Sequence, residues 1–298
     1  MGLISFKNNS SYLKAIRAHQ WIKNILVFVP LLAPYQFTNQ NLIESLIAFI
    51  SFCLIASSMY IANDLFDIEA DKAHPKKKLR PFAAGDITIK NGIIISSIMF
   101  IFGIIIASSI NISFFATILI YSFLAFSYSI FFKKKIIIDI CILGSLYTLR
   151  IIAGGFAAEI QISFWLLAFS IFLFLSLAAV KRLAELVDIK KRKKFKIAGR
   201  GYNKDDLSII SMIAVSAGFI SILIVGLYIN SPQILTIYYN TWTVWIACCI
   251  LLYWLIRIIF VAYRGDIDDD PITYALKDNV SRISLIVIIL LIMLNFKL

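Results

Sequence analysis

The sequence predicts an all-α, polytopic membrane protein with nine transmembrane helices, for three reasons. Hydrophobic residues make up 60% of the 298-residue chain and charged residues only 15%. Mean hydropathy is +0.87. Apolar runs of about 20 residues, the length that crosses a bilayer core, recur along the chain. A soluble domain carries about 45–50% apolar and about 25% charged residues, so a water-soluble globule and a disordered chain are both excluded. With Gly 12 and Pro 6 the composition is not collagen-like or low-complexity.

The nine expected spans are 22–37, 42–62, 92–111, 113–132, 137–157, 162–180, 208–229, 241–262 and 280–296. The first is short and carries Pro30 and Pro34, which membrane helices tolerate. No secretory signal pattern precedes it, so this span is expected to direct insertion. Connections then alternate. Segments 63–91, 181–207 and 263–279 are long and polar and 133–136 is short and basic, whereas 38–41, 112, 158–161 and 230–240 carry no Lys or Arg.

The net charge of +12 sorts accordingly. The N-terminal segment holds four cations, 63–91 six, 133–135 three and 181–207 ten; Arg264, Lys277 and Arg282 flank the last loop. That puts 26 of the 29 Lys and Arg on one side. By the positive-inside rule, the N-terminus and the long loops are cytoplasmic and the C-terminus lies outside, in the cell's inner membrane. The same sorting removes nucleic acid as the partner of the positive charge. Cys53, Cys141, Cys248 and Cys249 sit in apolar runs without metal-site spacing and read as small apolar residues. One integral membrane domain over 1–298 is expected, with its chemistry in the cytoplasmic loops.

The second span runs into NDLFDIEAD at 63–71. On a continuous helix Asn63, Asp67 and Asp71 share a face, with Asp64 one step around. Clustered carboxylates repel one another unless a cation sits among them. Hard oxygen ligands suit Mg²⁺, which takes one or two carboxylates plus substrate phosphates; Asn63 adds a neutral oxygen. Asp64, Asp67 and Asp71 are therefore the candidate catalytic and metal-binding residues. The run Lys76–Lys78 with Arg80 follows directly and suits phosphate oxygens. His74, before a proline, reads as a loop residue. Four carboxylates within 266–270 read as solvated.

With NDxxDxxxD and the nine-span layout, the chain resembles the UbiA superfamily of intramembrane prenyltransferases. That family carries a second DxxxD motif after its sixth span; here the corresponding positions are Lys181 and Glu185. Lysine repels Mg²⁺ and attracts phosphate. The departure, with the blocks RAHQWIKN, NDLFDIEADKAHPKKKLRP, YSIFFKKKIIID…LR, KRLAEL, GRGY and YRGDIDDDP in order, resembles the decaprenyl-phosphate phosphoribosyltransferase branch.

The resemblance implies a UbiA-type bundle that transfers 5-phosphoribose from phosphoribosyl pyrophosphate (PRPP) to a polyprenyl phosphate lipid. It implies Mg²⁺ dependence, release of pyrophosphate and inversion at C1. The alternative is a prenyltransferase joining a polyprenyl diphosphate to an aromatic acceptor, which calls for acids at both 181 and 185. Transport finds no internal repeat in its favour. A homo-oligomer is left open.

Substrate-binding expectations follow. Lys23, Lys133 and Arg80 hold phosphate. Tyr128 hydrogen-bonds a phosphate or orients an aspartate. Lys181, Arg182 and Glu185, opening the 181–207 loop, serve phosphate, metal or ribose hydroxyls. Arg200 and Tyr202 cap the sugar phosphate. Arg150, a buried cation within the fifth span, needs a partner, and Asp139, eleven residues away, is too far along the helix to be it.

Overall fold

The computed structural model describes residues 9–32, 36–73, 77–193, 195–197, 199–232, 238–267 and 270–295. Lys76, His74, Asp268 and Asp269 lie outside them, as do Pro34 and the residues at both termini. The regular elements among the described residues are helices, and Lys196 and Asn203 form an isolated antiparallel bridge. The helices are α1 (Asn9–Ile16), α2 (Asn39–Phe66), α3 (Ile68–Lys72), α4 (Ile89–Ile110), α5 (Ile112–Ile130), α6 (Ile138–Ala157), α7 (Phe164–Lys191), α8 (Leu207–Ile229), α9 (Thr241–Arg264), α10 (Pro271–Lys277) and α11 (Asn279–Met293).

Seven of these, α2 and α4 to α9, are long and apolar enough to cross a membrane, and the chain is an integral membrane protein. Of the nine expected transmembrane segments, the two at the ends differ from the other seven among the described residues. The last apolar helix, α11, has 15 residues, about 22 Å of rise against a core of about 30 Å. The first expected span is a 3-10 helix, Ala18–Leu32, with Pro30 inside. Its tighter winding rises about 2.0 Å per residue, so 15 residues reach about 30 Å.

The chain divides into two compact units, 1–29 with 39–133 and 149–160, and 30–38 with 134–148 and 161–298. In the first, α2 packs on α4 and α5. Small residues let the backbones approach, as is usual where lipid offers no hydrophobic drive between helices. Ser51 Oγ donates to the Gly103 carbonyl at 2.8 Å, and a Cβ on Gly103 would meet Ile55 at 2.7 Å. The contact of the 3-10 helix with α6 is tighter still: a Cβ on Gly154 would sit 1.9 Å from the Val27 carbonyl oxygen. In the second unit α7, α8 and α9 pack together and α11 joins α9. The same chemistry recurs there, with Ser176 Oγ donating to the Ala214 carbonyl at 2.7 Å.

Two element boundaries change the reading of the site. First, α7 does not end with its apolar run near 180 but continues to Lys191. Lys181, Arg182 and Glu185 thus stand on a helix, not in a loop. Residues 181–191 (KRLAELVDIKK) are strong helix formers apart from Val, Asp and Ile, and Leu183, Leu186 and Ile189 bury an apolar stripe. Second, α2 stops at Phe66 and Asp67 opens the separate helix α3.

Candidate active site

The acidic cluster of the first unit forms where α2 passes into α3. The sequence reading aligned Asn63, Asp67 and Asp71; the structure pairs Asp64 with Asp71 instead. The two acids lie on either side of the break at Asp67, Asp64 in the last turn of α2 and Asp71 in α3, so the face expected of a continuous helix does not apply. Both carboxylates are buried, at 2% and 4% exposed. They converge on a single nitrogen of Arg80, Nη1, at 3.1 Å from Asp64 Oδ1 and 2.7 Å from Asp71 Oδ2. Asp64 Oδ1 also accepts from Arg17 Nη2 at 2.5 Å. Arg17 joins α1 to the 3-10 helix in a left-handed conformation, φ 54°, a position non-glycine residues hold only when their surroundings enforce it. Asn63 is half-buried on the same turn.

Asp67 stands apart. It occupies the N-cap of α3 but its side chain makes no capping bond; its Oδ1 accepts from Lys133 Nζ at 2.5 Å. Lys133, just past α5, is itself buried. Among the described residues no three of His, Cys, Asp and Glu gather closely enough to hold a metal; of the three expected aspartates, Asp64 and Asp71 share a partner.

That pair fits a hard divalent cation. Two buried carboxylates reach one positive nitrogen, the donors are all oxygen, and Mg²⁺ needs only one or two side-chain carboxylates when phosphates and water complete its shell. Arg80 is the cation in place, and its guanidinium also has the fork geometry that suits a diphosphate.

The second unit holds a different cluster. Arg182, fully buried, donates Nε to Asp139 Oδ2 at 2.8 Å and Nη2 to Asp139 Oδ1 at 3.0 Å, and also bonds Glu185. Arg200 bonds the same two acids, Asp139 at 3.0 Å and Glu185 at 3.2 Å. Two arginines thus face two carboxylates, the condition under which buried charge is tolerated. The Tyr202 ring lies 5.5 Å from the Arg182 guanidinium carbon, and its hydroxyl accepts the Ile137 N–H at 3.0 Å. Burial pushes that phenol up to about 12, so it stays neutral at physiological pH. Ile137 is left-handed, φ 68°, unusual for a β-branched residue; Tyr202 holds the turn that launches α6 and Asp139. Gly201 brings the segment in, since a Cβ there would sit 2.5 Å from the Lys134 carbonyl oxygen.

Arg182 and Tyr202, expected as substrate contacts, are here engaged with Asp139 and with the turn at Ile137. Both are completely buried, whereas Arg200 and Glu185 keep side-chain exposures of 17% and 24%. Lys181 bonds Asp270 at 3.2 Å. Asp270 is the N-cap of α10, accepting from Ile272 N and Thr273 N, so of the acidic run 266–270 this residue is a built helix cap.

Arg150 also departs from expectation. Its Nε donates to Asn24 Oδ1 at 2.9 Å and its Nη2 to the Tyr121 hydroxyl at 2.8 Å, with the Tyr121 and Phe52 rings 4.9 and 5.9 Å away. Arg150 is 3% exposed and fastens the 3-10 helix to α5 and α6. Lys23, beside Asn24, is buried, and Tyr128 is half-buried in the last turn of α5. Arg17, in the RAHQWIKN block and expected beside Lys23 as a phosphate contact, is found on Asp64; the residue to which the sequence assigned no site role is Asp139. Arg17 lies in an N-terminal segment with no periodic signal. Asp139 is an acid in the first turn of an apolar helix, where the helix dipole favours it, and that lone-carboxylate signal was present in the sequence.

Comparisons with known proteins give the family. The UbiA prenyltransferase family model matches residues 26–286, and the chain belongs to that family. It is accordingly a membrane-embedded transferase. Among its relatives, nodulation protein NoeC of Azorhizobium caulinodans is 33% identical over 93% of this chain and 90% of that one. Protein y4nM of Sinorhizobium fredii is 35% identical over 91% of this chain. The decaprenyl-phosphate phosphoribosyltransferase of Mycolicibacterium smegmatis is 37% identical over 59% of this chain. The chain spans about half the length of the last two, 53% and 57% respectively. A UbiA homolog from Archaeoglobus fulgidus, solved with GPP and Mg²⁺, shares the fold at a TM-score of 0.70 and 15% identity, over 95% of this chain and 96% of that one.

Proposed function

We propose that this UbiA-family chain transfers the 5-phosphoribosyl group of PRPP to a polyprenyl phosphate and releases pyrophosphate. The observation that carries this reading is the convergence of Asp64 and Asp71 on Arg80, flanked by Arg17 on Asp64 and by Lys133 on Asp67. This is one acidic pair densely supplied with cations, as a Mg²⁺–diphosphate leaving group requires. Lys181, held by Asp270, stands where a prenyl-diphosphate enzyme of the family has a second acidic motif, so a second metal grip is not favoured.

In this mechanism Asp64 and Asp71 hold Mg²⁺, which when bound supplies Lewis-acid stabilisation of the departing diphosphate. Arg80, Arg17 and Lys133 turn from the carboxylates to diphosphate oxygens as the ligand enters. They then stabilise the charge that grows as the C1–O bond breaks. An oxygen of the lipid phosphate forms the new bond to C1 from the opposite face, with inversion. That phosphate is ionised at neutral pH, so no general base is needed. Within the first unit Lys23, Asn63 and Tyr128 are proposed to position phosphate or sugar oxygens; the second unit's Arg200 and Glu185 are proposed, each on its own chemistry, to contact a phosphate and ribose hydroxyls. The N-terminus and long loops face the cytoplasm, from which PRPP is supplied.

Purified protein incubated in parallel with labelled PRPP plus polyprenyl phosphate, and with labelled prenyl diphosphate plus an aromatic acceptor, tests this. Label is expected in lipid only in the first mixture. Turnover of the second alone contradicts the proposal.

A further inference from the structure

A separate concavity of about 260 Å³ lies in the second unit, lined by Val187, Lys190, Lys191, Leu207 and Tyr263. It is built from the end of α7, the first residue of α8 and the last turn of α9. Leu207 opens one apolar span and Tyr263 closes another, which sets the concavity at the membrane–water boundary, where Tyr is favoured. Val187 and Leu207 make a buried apolar floor, and Tyr263 and Lys190 are exposed.

The wall is fixed. Lys191 Nζ donates to the carbonyls of Arg264 at 2.7 Å and Gly265 at 3.4 Å, capping the C-terminus of α9. Gly265 is left-handed, φ 80°, and a Cβ there would lie 2.4 Å from Lys191 Nζ and 2.9 Å from Val187 Cγ1. Only glycine leaves both in place. The helix ends carry six cations, Lys190, Lys191, Arg192, Lys193, Lys204 and Arg264, against four acids, Asp188, Asp205, Asp206 and Asp266; Asp188 is bonded by Arg192 at 2.9 Å and Asp206 accepts from the Asn203 N–H. The result is a small hollow, cationic on its water side and apolar on its lipid side. It is below the size of sites that engulf a whole ligand, and basic pockets among span ends recognise anionic headgroups.

We infer that this hollow binds the headgroup of an anionic phospholipid, the phosphodiester on Lys190 and the first methylenes over Val187 and Leu207. A zwitterionic choline lipid, whose ammonium meets the lysines, is disfavoured. This inference is independent of the transferase reading.

The test is thermal unfolding of the purified full chain in detergent, titrated with phosphatidylglycerol, phosphatidylcholine or inorganic phosphate. Wild type is expected to be stabilised by phosphatidylglycerol alone. Each juxtamembrane Lys is worth about 1 kcal/mol toward anionic lipid, about fivefold in affinity. Lys190→Gln should therefore raise the half-saturating phosphatidylglycerol about fivefold, and Lys190→Glu more. Without lipid both variants should melt as wild type does, because Lys190 is exposed and Lys191 keeps the helix cap. An unchanged phosphatidylglycerol response in both variants overturns the inference, as does equal stabilisation of wild type by phosphatidylcholine or inorganic phosphate.

Discussion

Asp64 and Asp71 are the residues whose chemistry the account depends on. Each is nearly sealed from solvent and each is neutralised by a guanidinium held by geometry rather than by chance proximity. Replacing Asp71 by Asn keeps the volume and removes the charge. We expect kcat/KM to fall about 100-fold, with a higher Mg²⁺ requirement and little loss of fold; steady-state rates over a Mg²⁺ series check this. Arg150 is a different case. Its planar fork satisfies Asn24 and Tyr121 at once and stacks against two rings, which a lysine cannot do. Arg150→Lys should lower thermal stability by about 2 kcal/mol, the loss of a charged hydrogen bond, and unfolding in detergent measures it. A midpoint equal to wild type would refute the fastening role.

At the scale of elements, the informative segments are those where a helix does not stop where hydropathy suggests. At the junction of α2 and α3, Asp67 bonds Lys133, a contact between residues 66 apart that no local pattern reveals. The extension of α7 was legible in the helix-forming 181–191 stretch, but the charges there favoured reading it as a loop. The segment 199–203 is held by its fit to the 134–139 turn. Gly201→Ala, with its Cβ against the Lys134 carbonyl, should cost about 2 kcal/mol or more. Tyr202→Phe, which only removes the acceptor for Ile137, should cost about 1 kcal/mol. Comparative melting should give that order; the reverse order contradicts the packing described.

The Arg257–Asp278 pair that anchors α11 to α9 adds a pH signature. Burial raises the Asp278 pKa, but its bonds from Arg257, at 2.6 and 3.0 Å, and from Ser281 outweigh this and hold it at about 2. A lowered folded-state pKa stabilises fully above the unfolded value of 3.8 and loses that stabilisation as pH falls toward 2. The melting gap between wild type and Asp278→Asn should therefore be constant from about pH 7 to about pH 5 and close in more acid solution.

For the molecule as a whole, composition and periodicity were enough to place seven spans, all but the C-terminal end of α7 within a few residues, because lipid permits only long, internally bonded helices. The two end segments were harder. Ala18–Leu32 and Asn279–Met293 are apolar enough to be counted, but they differ in winding or length from full transmembrane α-helices. The acidic motif and its basic neighbours were legible as residue types. Which acid pairs with which cation was not, since Arg17, Arg80 and Lys133 come from three separated segments. The buried cations differed in legibility: hydropathy flags Arg150, inside a span, but assigns Arg182 to a loop, and only their surroundings show the neutral clamp on Asn24 and Tyr121 and the charge lattice on Asp139 and Glu185.

The most direct measurement of the central claim is a mass spectrum of the lipid recovered after the purified chain meets PRPP, polyprenyl phosphate and Mg²⁺. A polyprenyl phosphate heavier by one phosphoribosyl group, formed by wild type and nearly absent with Asp71→Asn, is the expected result. Unmodified lipid in that mixture, alongside a prenylated aromatic product when a prenyl diphosphate is supplied instead, would contradict it.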